Sequence, residues 1–263
     1  MLQRLFYRSQ YLMYSRFEIF IPELESGKLV FLFEKIIGRI EKLENLISRF
    51  VADSVTNLLN SKASISPVKV NHYYFDLIEK CLLFQQKTKG CFNISPMSFV
   101  STSETGIKTN KGEQSIFFEF PNISLDFGAI GKGLALELAI QTIKDDGIEN
   151  ALINFGDSSV FALGSHPQGD FWPIKITNGK NSKIFQLKDN GLSSSGLHIS
   201  DDKLIAHIID PNTGILIDKN EKVVVISKCP LRAEVLSTAM FVASEEIRKE
   251  IKEEFKEDEI TVL

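Results

Sequence analysis

The sequence predicts an α+β protein, in which helices come early and strands interrupted by two further helices follow. Three observations carry this expectation. From about Lys28 to Asn60 the apolar residues Phe33, Ile36, Ile37, Ile40, Leu43, Ile47, Phe50 and Val51 recur at helical spacing. Beyond Gly90 the texture changes to short apolar runs with polar breaks, notably "QSIFFEF" and "ISLDF". With 263 residues, 43% hydrophobic and 24% charged, the chain suits one domain over 1–263 or two intimately packed subdomains.

Taken in order, "FEIFIPE" (17–23) alternates apolar and polar residues and ends at Pro22, so a strand is expected. Residues 28–60 form one long amphipathic helix or two, with Gly38 as a tolerated weak point. "SKASISPVKV" (61–70) reads as a loop and 69–88 as a second helix, stopped at Gly90. A helix from Lys132 to Asp146 follows, with Gly147 where a left-handed cap is expected. "NALINFG", "SVFALG", "FWPIKIT", "KIFQL", "KLIAHIID" and "KVVVIS" read as strands, with a "PNTG" turn after "KLIAHIID". A last helix from Leu231 to Phe255 runs into a charged tail.

Composition excludes several classes of function. Thirty basic against 34 acidic residues give a net charge of −4 with no block of one sign, which disfavours nucleic acid as the main partner. No apolar run reaches the roughly 18 residues of a membrane span. The first twenty residues lack a clean signal-peptide core, so the chain reads as cytoplasmic. Cys81, Cys91 and Cys229 show no CxxC spacing; buried thiols are expected rather than disulfides or a zinc site.

"LDFGAIGKGLALELA" (125–139) crowds three glycines and Lys132 onto a helix start, just behind Asp126. Unpaired helix N–H groups and a lysine favour an anion, and bare backbone lets a ligand approach. Neither the P-loop nor the dinucleotide GxGxxG spacing fits, because Gly133 follows Lys132 and Leu136 stands where a third glycine would. A less common phosphate cradle is the preferred reading; a turn serving tight packing is the alternative. In "LIAHIIDPNTG" (204–214), His207 lies in an apolar run ahead of good turn chemistry at Asp210–Gly214. Burial would keep its ring neutral and able to accept a proton; a core histidine is the other reading. Glu234 and Thr238, four apart, share a helix face and could offer oxygen ligands to magnesium, or be a solvated face. "GLSSSGLH" (191–198) lacks the nucleophile elbow, since Ser195 occupies its second glycine position.

In this order the segments resemble the ApbE family, the FAD:protein FMN transferases. "DFGAIGKG" is similar to its D-x-G-[GA]-I-[AG]-K-G segment, "AHIIDPNTG" to its H-I-I-D-P-x-T-G run, and "AEVLSTA" to its A-D-x-x-x-T-A. "NALINFGDSS", "FWPIKI", "LISRFVADSVTNLLN" and "TKGCFNIS" match further collinear blocks, spanning about residues 13 to 244. The resemblance implies an ApbE-like, T-fold-related arrangement of mixed sheets with packed helices: long N-terminal helices, then mostly antiparallel strands. It implies magnesium-dependent (Mg2+) cleavage of FAD and attachment of FMN by a phosphoester to a threonine of an acceptor flavoprotein.

Residue by residue, the resemblance makes Lys132 and His207 the candidate catalytic residues, with His207 taking the threonine proton. FAD would be held by Asp126, Gly128, Ala129, Gly131, Lys132, Asn154, Gly156, Ser195, Gly196, His207, Ile208, Asp210 and Thr213. The metal ligands would be the carbonyl of Ala129, Glu234 and Thr238. The chain departs from the pattern where Glu234 replaces an aspartate, Tyr14 the glycine of an M-G-T signature, Asn93 an acid and Asp157 a second glycine. Two other readings stay open: an FAD-binding paralogue with little chemistry, and hydrolysis of FAD to FMN and AMP.

Overall fold

The computed structural model describes residues 5–22, 26–96, 105–179, 181–200, 203–206 and 208–263. Strands β1 (Leu5–Leu12) and β2 (Ser15–Pro22) form a hairpin whose turn residues Met13 and Tyr14 both have positive φ, 46° and 59°. That is the primed geometry a two-residue hairpin needs to match strand twist. β1 shows no alternation because it is an edge strand exposed along most of its length, which is why its sequence did not signal a strand.

The long N-terminal helix is two. α1 (Ser26–Ile47) and α2 (Val55–Lys62) are separated by a bend held by hydroxyls. Ser54 caps α2 at Asn57 N (3.0 Å) and donates to the Ser48 carbonyl (2.6 Å), while Thr56 donates to the Ile47 carbonyl (2.9 Å). A two-residue β3 (Val68–Lys69) precedes α3 (His72–Lys87), which Asn71 caps and Gly90, at φ 78°, ends. β4 (Ile107–Asn110) pairs with β5 (Ser115–Phe118), which pairs in turn with β3, in a small sheet.

"ISLDF" is not a strand. Its buried Ile123, Leu125 and Phe127 alternate, but the Asn60 amide brackets Leu125 in place of a neighbouring strand (2.7 and 3.1 Å). The alternation records burial alone. It leads into α4 (Gly131–Asp145), closed by Gly147 at φ 76°.

β6 (Ala151–Phe155) and β7 (Ser159–Leu163) come next, then a separate hairpin of β8 (Trp172–Asn178) and β9 (Asn181–Leu187). β10 (Asn190–Gly196) is followed by the short β11 (His198–Ser200) and β12 (Lys203–Ile205). The strand expected over 203–210 therefore stops at Ile205, and Ile209 makes only a single bridge to Leu216. After β13 (Lys222–Ser227), the last helix also divides, into α5 (Pro230–Val242) and α6 (Glu245–Glu254), where Ser244 caps the second. Lys219 Nζ closes the end of α5 by donating to the carbonyls of Phe241, Val242 and Ala243 (3.1–3.3 Å). The charged tail ends in β14 (Glu259–Val262).

Seven strands form one antiparallel sheet in the order β1-β2-β6-β7-β10-β13-β14. Period-two alternation gives each strand two faces. Phe17, Ile19, Ile153, Phe155, Val223 and Val225 face the core shared with α1, α4 and α5. Val160, Ala162, Leu192, Val224 and Ile226 face the β8–β9 hairpin with Trp172 and Phe185. Cys81 and Cys91 are buried and Cys229 partly so, all as free thiols, and no described helix is long and apolar enough to cross a membrane.

Candidate active site

β7 pairs with β10 only from Asn190 to Ser193; one further bond, Ser194 N to the Ser158 carbonyl (2.8 Å), is the last before the two part. The sheet opens there into a cavity of about 810 Å³, of the size that holds a large cofactor. The five consecutive residues Ser193–Leu197 line it. Alternate residues of a strand point to opposite faces, so the cavity wraps the free strand edge rather than sitting on one face.

The glycine segment forms one wall. Asp126 accepts from Gly128 N (2.8 Å) and pairs with Arg49 (3.2 Å), folding the loop back on itself. Gly128, Ala129 and Lys132 line the cavity along with Asp126. Gly131 and Gly133 are not among the lining residues. A Cβ on Gly131 would lie 2.9 Å from Met13 Cε, and one on Gly133 would lie 2.9 Å from Leu231 Cα. The packing reading holds at Gly131 and Gly133, which let α4 pack against its neighbours, whereas Gly128 fronts the cavity.

α5 forms the opposite wall. Its first turn carries Pro230, whose missing N–H costs nothing there, and Glu234 one turn later is 3% exposed. The Glu234 carboxylate accepts from Gly133 N (2.7 Å) and from the Ser159 hydroxyl, and Lys132 Nζ lies 3.6 Å from its Oε1. A buried carboxylate needs such partners, and these come from α4 and β7.

Behind it runs a directed chain of hydroxyls. Ser237 donates to the Glu234 carbonyl (3.1 Å), so it accepts from Ser195 (2.9 Å) and Ser193 (3.0 Å). Ser195, its one proton committed, can only accept from Thr238 (3.4 Å). Thr238, which lines the cavity, is left with its hydroxyl lone pairs as acceptors. Ser193 and Ser195 of "GLSSSG" thus brace the sheet against α5.

Ala129, Glu234 and Thr238 all line the cavity. Carboxylate, hydroxyl and main-chain carbonyl are hard oxygen donors, which suit magnesium. Among the described residues no three His, Cys, Asp or Glu cluster as a self-sufficient metal cage. A cation held here would draw its remaining ligands from phosphate oxygens and water.

The other expected residues divide. Gly156 lines the cavity at φ 65°, where a Cβ would meet Ser15 Oγ at 2.9 Å. Asp157 also lines it at φ 57°, a conformation easiest for glycine and tolerated by aspartate. The same geometry at Tyr14 explains the glycine of the M-G-T pattern. Gly196 and Ile208 line the cavity, as does Asn93. Asn154 is not a lining residue; its amide donates to Glu18 (2.7 Å) and to Asp157 (2.9 Å). Asp210 and Thr213 likewise stand off the lining and serve the turn, Thr213 Oγ1 donating to Asp210 Oδ2 (3.0 Å). His207 lies outside the described residues.

Among the lining residues, Pro96 and Lys222 fall outside every site motif read from the sequence, while Cys91 and Phe92 belong to "TKGCFNIS". Burial pushes the Cys91 thiol up to about 11, so it is no thiolate nucleophile near neutrality. Lys222 opens an apolar strand, and a lone cation at a strand end is too common to read as a site.

A profile described as the ApbE family matches residues 13–263. The chain is 24% identical over 268 residues to the FAD:protein FMN transferase of Escherichia coli (strain K12), covering 88% of this chain and 76% of that one. It is 24% identical over 256 residues to the FAD:protein FMN transferase of Treponema pallidum (strain Nichols), covering 80% and 70%. The structure of the flavin transferase ApbE from Vibrio cholerae superposes with a TM-score of 0.82 at 20% identity, over 99% of this chain and 93% of that one. The apo form of the Pseudomonas stutzeri flavinyl transferase ApbE gives 0.82 at 20% identity, over 99% and 90%. At such identities the structural likeness is one of fold.

Proposed function

Because the chain belongs to the ApbE family, we propose that it is a magnesium-dependent FAD:protein FMN transferase acting on a threonine of an acceptor flavoprotein. The observation that carries this reading is the convergence of Lys132, Ala129, Glu234 and Thr238, from two distant helices and one loop, on a single cavity. The threonine oxygen attacks the flavin-side phosphorus, the P–O–P bridge breaks, and AMP leaves with the bonding pair.

Lys132 would face the diphosphate and favour its negative charge, whereas the Gly131 and Gly133 amides that open α4 are already bonded to the Phe127 carbonyl and to Glu234. In this reading His207 accepts the threonine proton, worth about 10² to 10⁴ in rate. Ala129, Glu234 and Thr238 would hold a magnesium ion, which when bound would neutralise phosphoryl charge and ease departure of AMP. Glu234, one methylene longer than the family aspartate, spans to Gly133 and Ser159 while keeping one face toward Lys132.

The test is incubation with FAD, magnesium and a candidate acceptor, followed by mass spectrometry. An FMN-sized gain on an acceptor threonine, abolished by EDTA, is expected. Bound FAD with neither labelling nor AMP release overturns the transferase reading.

One observation favours a second reading, an FAD-binding paralogue. The Glu234 oxygens already carry two hydrogen bonds and face an ammonium, which leaves fewer lone pairs for a cation. That reading predicts FAD affinity independent of magnesium. Release of AMP without an acceptor would instead mark hydrolysis.

A further inference from the structure

Among the described residues two lysines line the cavity, and they differ in one respect. Lys132 has Glu234 as a counter-ion. Lys222 has no side-chain hydrogen bond or ion pair with any described residue; only its backbone is engaged, with Leu263. The side chain is half-buried, and burial holds its ammonium below the ordinary lysine value. An unpaired, partly desolvated ammonium costs free energy that an anion arriving in the cavity would recover.

Strand register places the residue. Lys222 stands opposite Gly196 in the β10–β13 ladder, one rung beyond the Ser195–Val223 pair. Ser195 points to α5, where its hydroxyl meets Ser237 and Thr238. Lys222 and Gly196 therefore belong to the opposite face, together with Val224 and Ile226. Gly196 has no side chain to shield that rung, and a Cβ there would lie 3.4 Å from Lys222 Cβ. Since the cavity wraps the free edge of β10, a ligand in the opening lies between the α5 face and the face of Lys222.

We propose that Lys222 is a second anion-binding residue of this cavity, taking a phosphoryl oxygen of the bound dinucleotide from the sheet face opposite Glu234 and Thr238. This rests on the reading of the cavity as an FAD site and adds a contact to it. Lys132 and the candidate metal ligands address the diphosphate from one side. Lys222 addresses it from the other, so the ligand's charge is countered on both faces of the opening. Its role is binding, with no bond made or broken at the lysine.

The experiment measures dissociation constants of FAD, FMN and riboflavin for the unaltered chain and for Lys222→Met, Lys222→Gln and Lys222→Arg, at two salt concentrations. Met keeps the aliphatic stem, Gln keeps polarity and Arg keeps the charge, which separates packing from electrostatics. Loss of one partly exposed charged contact should weaken FAD and FMN by about tenfold in the Met and Gln variants. Arg should recover most of that loss, riboflavin affinity should not change, and the salt dependence of FAD binding should fall in Met and Gln. FAD affinity unchanged in Met and Gln overturns the role of Lys222 alone. Equal weakening of riboflavin also overturns it, by showing that the lysine supports the ring or the packing. Failure of the unaltered chain to bind FAD overturns the FAD reading of the cavity and this contact with it.

Discussion

Lys132 Nζ lies 3.6 Å from Glu234 Oε1, joining the first turn of α4 to the first turns of α5 across the cavity. The same carboxylate takes the Gly133 N–H and the Ser159 hydroxyl, so one buried side chain ties α4 and β7 to α5. The role proposed for Glu234 in metal binding is thus superimposed on a structural one, and substitution can separate the two.

Glu234→Ala leaves a buried N–H, a hydroxyl and an ammonium without their acceptor and should cost about 3 kcal/mol of stability in urea unfolding. Glu234→Gln retains an acceptor for Gly133, and Ser159 can reverse to accept, so it should cost about 1 kcal/mol. Both should lose magnesium binding by calorimetry. A Gln variant that binds magnesium as before would exclude Glu234 from the metal site.

The two packing glycines should respond differently to alanine. At position 131 the added methyl meets the flexible tip of Met13, which can turn aside, and Gly131→Ala should stay within about 1 kcal/mol of the unaltered chain. At position 133 it meets the backbone of Pro230 and Leu231, so α4 and α5 must separate. Gly133→Ala should cost about 2 kcal/mol or more in the same assay.

Tyr14 holds a left-handed conformation at φ 59° and is exposed, its ring meeting Phe50 edge-on and its carbonyl accepting from the Tyr11 hydroxyl (2.8 Å). Tyr14→Asn or Tyr14→Gly should maintain or raise the unfolding temperature, because both adopt that region more easily. Tyr14→Val, β-branched at positive φ, should lose about 1 kcal/mol. Equal behaviour of Asn and Val would show that the turn relaxes when substituted.

Burial lowers the pKa of Lys222 below its ordinary 10.5, so the folded state penalises the ammonium. The penalty is fully present below the folded-state value and disappears as pH rises toward 10.5. Without ligand, Lys222→Met should therefore be more stable than the unaltered chain at pH 7, and that difference should shrink as pH climbs through the lysine range. Thermal unfolding across pH 7 to roughly 10.5 checks this. A difference constant with pH would point to packing.

The regions where sequence and structure part show how far a linear pattern reaches. Helical periodicity over 28–60 and 231–255 was legible, but each region holds two helices, divided near Ser54 and Ser244, where hydroxyl caps override the repeat. "ISLDF" alternates like a strand because its apolar residues are buried, yet its backbone partner is the side chain of Asn60. β1, an exposed edge, has no alternation to read. Within the site, Lys132, Glu234 and Thr238 stood out through spacing and family likeness, whereas Lys222 did not.

The sequence by itself determined the element types with strong periodicity, the left-handed stops at Gly90 and Gly147, and the segments that mark the family, since these depend on residues within a turn or two of each other. Only the tertiary structure decided which glycine fronts the cavity and which pack, where the sheet opens, and which partners hold Glu234. Those properties are set by Cβ-scale distances between segments far apart in the chain, such as Gly133 against Leu231 and Ser195 against Thr238, and local spacing carries no record of them.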